Sequence, residues 1–270
     1  MIGTLVLIAY TITGLASIFA LLIRTGAWIM ISRFLFSVCG ALHLVFILSL
    51  ARSMHTIPVF SPALGVNMMI FLASIVFLAL AWKKKTASLA AFFLPPATFA
   101  IALALPPILQ HPDIFVKSYQ YWYPLHTLSV IGGEALFVVA SITSVVYLIH
   151  EKIIRKGSIH SRGSGLPPLS ILDSILYMCL SAGFIAITVG MILGGLWASS
   201  LDLSFGSIAP KVIAGALLWF IFAFSLHQRF AIGWKGRRTA IITLIGFCVM
   251  ILLFLGMNLV FPHAHGIGLL

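Results

Sequence analysis

The sequence predicts an all-α fold, a polytopic membrane bundle of eight transmembrane helices with both termini on the outer, periplasmic side. Three observations carry this. The chain of 270 residues is 61% hydrophobic and 8% charged, with a mean hydropathy of +1.17, where soluble domains carry roughly 25% charged residues. That leaves too few polar side chains to cover a surface in water, which excludes an ordinary soluble enzyme, a disordered chain and a disulfide-stapled secreted module. Apolar runs of about 20 residues, the length needed to cross a hydrocarbon core of about 30 Å, occur eight times. Finally, the basic residues alternate between loops: thirteen of the sixteen Lys and Arg follow the odd-numbered runs and three follow the even ones. By the positive-inside rule, the odd loops are cytoplasmic. This topology also explains the formal charge of +11 without nucleic acid as a partner.

The spans read in order as follows. Span 1 covers about 3–23; no charged region precedes its start at Ile2 and no small-residue cleavage site follows, so it is expected to be retained. Spans 2 and 3 cover about 34–51 and 64–82, flanked by Arg24 and Arg33, Arg52, and the Lys83, Lys84, Lys85 run. Span 4, about 87–109, contains Pro95, Pro96, Pro106 and Pro107, which remove backbone donors and predict a kink. Span 5, about 124–149, follows Tyr119, Tyr121, Trp122 and Tyr123, rings suited to the headgroup level. The connector from His150 to Pro168 is basic and contains no further domain. Spans 6, 7 and 8 cover about 172–197, 211–231 and 239–260, the last following Arg229, Lys235, Arg237 and Arg238. Helices are required because backbone groups in lipid need internal partners, and strict alternation of a barrel strand is missing. One domain, 1–270, is expected.

Cys39, Cys179 and Cys248 are far apart, each within an apolar run, and form no CxxC, CxxCH or zinc spacing. Ionisable groups inside the membrane are the better functional signal, because they are costly there. Of nine histidines, His55, His111, His150 and His160 fall in loops and read as solvated. The others sort into two levels. His43 in span 2 and His227 near the end of span 7 face the inner half of the membrane; His126, opening span 5, and His263 and His265, after span 8, lie outside. Two imidazoles from separate helices at one depth can fill both axial positions of an iron porphyrin wrapped by apolar helix faces. Phe220 and Phe224 share a face with His227, Phe36 and Gly40 share one with His43, and Gly133 leaves room beside His126 for a flat ring or a neighbouring helix. The alternative is an intramembrane histidine that simply hydrogen-bonds across helices. Glu134, the only acid deep in a span, reads as a proton relay or an interhelical hydrogen bond. Gly183, Gly190 and Gly194 form a small-residue stripe suited to helix packing, and Trp197 reads as an interfacial anchor.

The ordered features "PLHTLSVIGGEALFVVASITSVVYLI", "GMILGGLWA", "PKVIAGALLWFIFAFSLHQR", "WKGRR" and "LGMNLVFPHAH" resemble the cytochrome c assembly family of haem-handling membrane proteins, particularly its HemX-like and small eight-span members. The resemblance implies that His43 and His227 match an intramembrane haem-ligand pair, and that His126 and His265 match an outer pair; His265 stands seven residues after Asn258. It further implies haem b as cofactor, a bacterial inner-membrane location, and a non-enzymatic role in cytochrome c biogenesis or haem handling, in which the two histidine levels are expected to pass haem across the membrane from the inner to the outer. A second membrane subunit of cytochrome c maturation or a haem-biosynthesis enzyme is the implied partner. One departure stands out: "LDLSFGSIAPK" keeps Pro210 and Lys211 but has Ile208 and Ala209 where haem-delivering members carry Trp-Asp. That fits handling of haem without its ligation to an apocytochrome. A membrane b-type electron carrier, or a proton or solute transporter using Glu134, are the competing expectations.

Overall fold

The computed structural model describes residues 2–83, 85–110, 122–156, 165–199 and 205–260, with the side chains of 110, 205–208, 211 and 257–260 left aside. Eight helices follow in order: α1 (Ile2–Ile23), α2 (Gly26–Met54), α3 (Pro62–Ala81), α4 (Leu89–Gln110), α5 (Trp122–Arg155), α6 (Leu169–Ser199), α7 (Phe205–Ala231) and α8 (Arg237–Val260). All eight are long and apolar enough to cross a membrane, and no strand occurs among the described residues. The protein is a multi-pass membrane protein.

The helices exceed the apolar runs because their polar ends find partners. Arg33, expected in a loop, lies inside α2, where its Nε donates to the Ala81 carbonyl at 2.7 Å and satisfies an orphan acceptor at the end of α3. Its guanidinium also sits over the Trp82 ring, 5.9 Å from the centroid. At the other end of α3, Ser61 caps the helix by accepting from the Leu64 amide, and Pro62 occupies the first turn, where a missing donor costs nothing. α4 runs as one helix through all four prolines.

Packing divides the chain into two four-helix halves. α1 packs on α2 and α4, and α3 on α2 and α4; α5 packs most extensively on α6 and also on α8, while α7 joins α6 to α8. The halves meet chiefly through α3 and α5. Stacked Phe77 and Phe93, 4.3 Å apart, fill the first half; Phe137 and Phe222, 4.4 Å apart, fill the second. Since lipid is as apolar as leucine, close approach decides which helices associate. Gly133 provides it between α5 and α6: a methyl group there would lie 3.0 Å from the Gly183 carbonyl and collide with Ile187. The space beside Gly133 is thus taken by a helix. Leu5, Ile8, Ile12, Leu15 and Phe19 are about half exposed and give α1 an apolar stripe for lipid.

Among the described residues, Arg33, Lys83, Lys85, Arg155, Lys235, Arg237 and Arg238 lie at one end of the bundle, where α5 ends and α6 and α8 begin. His126 and Pro62 mark the opposite end.

Candidate functional site

At the end opposite the basic one, α5 opens with Trp122, Tyr123 and Pro124, and His126 follows one turn in. The ring of His126 lies across α6 because that helix has no side chains in the way. A methyl group at Gly194 would fall 2.7 Å from its Nδ1 and Cε1, and one at Gly190 would lie 2.7 Å from Val130. The stripe read as helix packing therefore serves two ends: Gly183 and Gly190 seat α5, and Gly194 seats an imidazole. His126 Nδ1 is 2.7 Å from the Gly190 carbonyl oxygen. A carbonyl only accepts, so Nδ1 carries the proton, and in the neutral ring Nε2 holds the lone pair. A carbonyl accepting from one ring nitrogen in this way is what commonly orients a histidine whose other nitrogen meets a metal.

Trp197, expected as an interfacial anchor, is built into the same cluster. It lies nearly parallel to His126 with centroids 6.4 Å apart and touches Tyr123 at 4.8 Å, which in turn stacks on Phe60 at 5.2 Å. An aromatic wall from three helix ends thus flanks the imidazole. Its expected companion, His265, lies outside the described residues, as do His263, His111 and His160.

The inner level is arranged otherwise. His43 is fully buried between α1 and α3. Its Nε2–H donates to Asn67 Oδ1 at 3.2 Å, which leaves Nδ1 to accept from the Tyr10 hydroxyl at 2.8 Å. With its own proton on His43, the Tyr10 oxygen accepts from Ser74, whose single hydroxyl proton is shared between Tyr10 and the Ile70 carbonyl, 2.7 Å away. Tyr10 and Phe71 close over the ring edge-on, at 5.5 and 5.2 Å. Both nitrogens are occupied by hydrogen bonds.

His227 is exposed on α7, on the same outward face as Phe220 and Phe224, which are 63% and 50% exposed. The structure does not bring His43 and His227 together. α2 packs on α1 and α3, and α7 packs on α6 and α8. They also differ in depth. His43 stands ten residues, about 15 Å of helix, from Arg33 at the basic end, whereas His227 is two residues, about 3 Å, from Arg229 at that same end. The matching depth expected from sequence is therefore missing.

At the basic end, Arg229 reaches α6 and makes two hydrogen bonds to Asp173, at 3.0 and 2.8 Å, while the Gly236 amide donates to the same carboxylate at 2.8 Å. Arg229 also lies over the Tyr177 ring at 4.7 Å. His150, expected to be solvated, is buried and its Nδ1–H donates to the Pro167 carbonyl at 2.8 Å, tying the end of α5 to the start of α6. His55 is exposed as expected, closing α2 in a left-handed conformation. Glu134 is half-buried on α5 and makes no hydrogen bond or ion pair among the described residues. No group of three or more metal-ligating side chains occurs among the described residues.

The family model described as "Cytochrome C assembly protein" matches residues 27–265, which takes in α2 to α8 and, with them, His126 and the α6 glycines but not α1. The chain belongs to the cytochrome c assembly protein family. A cytochrome c biogenesis protein CcsA of Synechococcus (strain CC9902) is 31% identical over 211 residues, 70% of this chain and 69% of its own length. Proteins of the same name from Chlamydomonas reinhardtii and Mesostigma viride are 31% identical over 176 residues and 28% over 185. Those matches cover 64% and 61% of this chain, and 47% and 61% of the relatives' own lengths. No solved structure matches the chain.

Sequence reasoning singled out His126 and the glycine stripe but not their contact. It missed Asn67, Tyr10 and Ser74 as partners of His43. A signal was present: each is a polar residue inside an apolar run, which needs a partner in lipid.

Proposed function

We propose that this protein handles haem in cytochrome c biogenesis at the bacterial inner membrane, non-enzymatically, and that His126 is an axial ligand of haem b at the end opposite the basic loops. The observation that carries this reading is the Gly190 carbonyl on His126 Nδ1, which presents Nε2 with its lone pair. The donor set suits the group: a neutral imidazole seated against Gly194, beside the flat surfaces of Trp197 and Tyr123. Bound haem would supply an iron that takes imidazole nitrogen at its axial positions. This chain's residues orient the ring, hold its tautomer and exclude lipid. His265 is the second ligand in this reading, by family likeness.

His43 and His227 form no second pair here. His43 would have to give up the hydrogen bond at whichever nitrogen met iron, the Tyr10 hydroxyl at Nδ1 or Asn67 Oδ1 at Nε2, at a cost of about 1–3 kcal/mol. The absence of a Trp-Asp pair before Pro210 supports handling of haem rather than its ligation, with a second membrane subunit or a haem-biosynthesis enzyme as partner.

The test is the absorbance spectrum of the purified protein with and without added haem. A six-coordinate bis-imidazole spectrum is expected, lost in His126→Ala and kept in His227→Ala. Unchanged pigment in His126→Ala overturns the assignment. Haem that dissociates readily on dilution marks a handler; haem retained through purification and reversibly reduced by a quinol marks an electron carrier instead.

A further inference from the structure

At the basic end, the last turn of α5 and the α7–α8 loop enclose a cleft of about 600 Å³. Four cations line it, Arg155, Lys235, Arg237 and Arg238, against one carboxylate, Glu151. Glu151 is already divided between Arg155 at 2.9 Å and Arg237 at 3.4 Å, and the nearby Asp173 carboxylate is taken up by Arg229 and the Gly236 amide. Lys235 and Arg238 make no ion pair among the described residues. The loop that presents them has a fixed shape. Gly233 and Gly236 take left-handed φ values of 75° and 64°, and a methyl group at Gly236 would collide with Tyr147. α8 starts at Arg237, so its positive end adds to the field of the cleft.

We propose that this cleft binds the phosphate of an anionic phospholipid, with Lys235 and Arg238 as its principal contacts. The surroundings select a lipid over a free anion. Ile232, which lines the cleft, is 58% exposed, the Trp234 indole lies 5.2 Å beneath Arg238, and Phe230 in the last turn of α7 is 68% exposed. A cation pair beside exposed apolar side chains fits a headgroup whose acyl chains continue along the protein; a free phosphate would leave that apolar surface unused. This inference is independent of the haem reading, since it uses none of the residues at the opposite end.

The experiment is native mass spectrometry of the full chain, released from detergent with equal phosphatidylglycerol and phosphatidylcholine. Preferential retention of phosphatidylglycerol is expected, falling about fivefold for each cation removed in Lys235→Gln and Arg238→Gln. Lys83→Gln with Lys85→Gln, on another loop at the same end, should leave the preference intact, and the charge-preserving Lys235→Arg with Arg238→Lys should retain most of it. Equal retention of the two lipids by the parent, or equal loss in the Lys83 and Lys85 variant, overturns the proposal. Displacement of phosphatidylglycerol by millimolar inorganic phosphate would assign the cleft to a free anion and also overturns it.

Discussion

His43 and His126 are both histidines within apolar helices, yet the two halves of the bundle use them in opposite ways. In the first half, α1 and α3 bring Tyr10, Asn67 and Ser74 around His43, so that the ring is a knot in a closed hydrogen-bond chain. In the second half, α6 offers His126 one backbone acceptor and two glycines. The difference lies in the neighbours. Polar side chains on both nitrogens tie the His43 imidazole into the packing of the first half, while a backbone carbonyl on Nδ1 of His126 fixes the tautomer that places the lone pair on Nε2. An intramembrane histidine is therefore read by what its two nitrogens face.

The largest expected effect breaks the first half. His43→Ala removes a fully buried ring and leaves Asn67 and Tyr10 without their partner, so the loss combines a cavity with unsatisfied polar groups, about 3–5 kcal/mol in total. Unfolding in a denaturing detergent series should shift accordingly, with haem per folded protein unchanged. A His43→Ala protein of parental stability that has lost its haem would erase the contrast between the halves.

The second half is tested by Gly194→Val. Its Cβ would meet His126 Nδ1 and Cε1 at 2.7 Å and push the ring from the Gly190 carbonyl. Haem affinity should drop at least tenfold, about 1.4 kcal/mol, in a protein that still folds, since α5 remains seated on Gly133 and Gly183. Haem titration followed by absorbance measures this; parental affinity in Gly194→Val would show that the ring position does not matter.

These two residues also show how far the sequence could be read. Eight spans were legible because hydropathy and the alternation of Lys and Arg report on lipid and charge independently of packing. The helix ends were less so: Arg33 belongs to α2 because the Ala81 carbonyl receives it, a contact between positions 48 apart that no local window shows. The same holds at the site. A histidine at a given span depth is visible, but whether it meets Asn67 and Tyr10 or a bare glycine stripe depends on which helices pack together. His150 illustrates the reverse error, since a loop-like basic context conceals a buried donor to Pro167.

Tyr10→Phe sharpens the first half with a smaller change. The ring is conserved and only the hydroxyl is lost, so Ser74 retains the Ile70 carbonyl while His43 Nδ1 loses its partner. One unsatisfied buried acceptor costs about 1–2 kcal/mol. Adding His43→Phe to Tyr10→Phe should then cost less than the sum of the two single changes, because they break one shared bond. Additive effects would mean that the Tyr10–His43 contact carries no energy of its own.

The smallest effect is expected at the basic end. Arg155 is 65% exposed and pairs with Glu151 one turn earlier, while Glu151 keeps Arg237 as a second partner. Exposed i,i+4 pairs contribute about 0.3–0.5 kcal/mol, so Arg155→Gln should leave stability within that margin at ordinary ionic strength and within error at high salt. By contrast, Asp173→Asn would weaken a bidentate bond between side chains only 12% and 18% exposed, together with the Gly236 contact that shapes the α7–α8 loop. If Arg155→Gln destabilised the protein as much as Asp173→Asn, the Glu151 pairs would be as structural as the Asp173 lock, and the open, cation-rich character of the cleft would have to be abandoned.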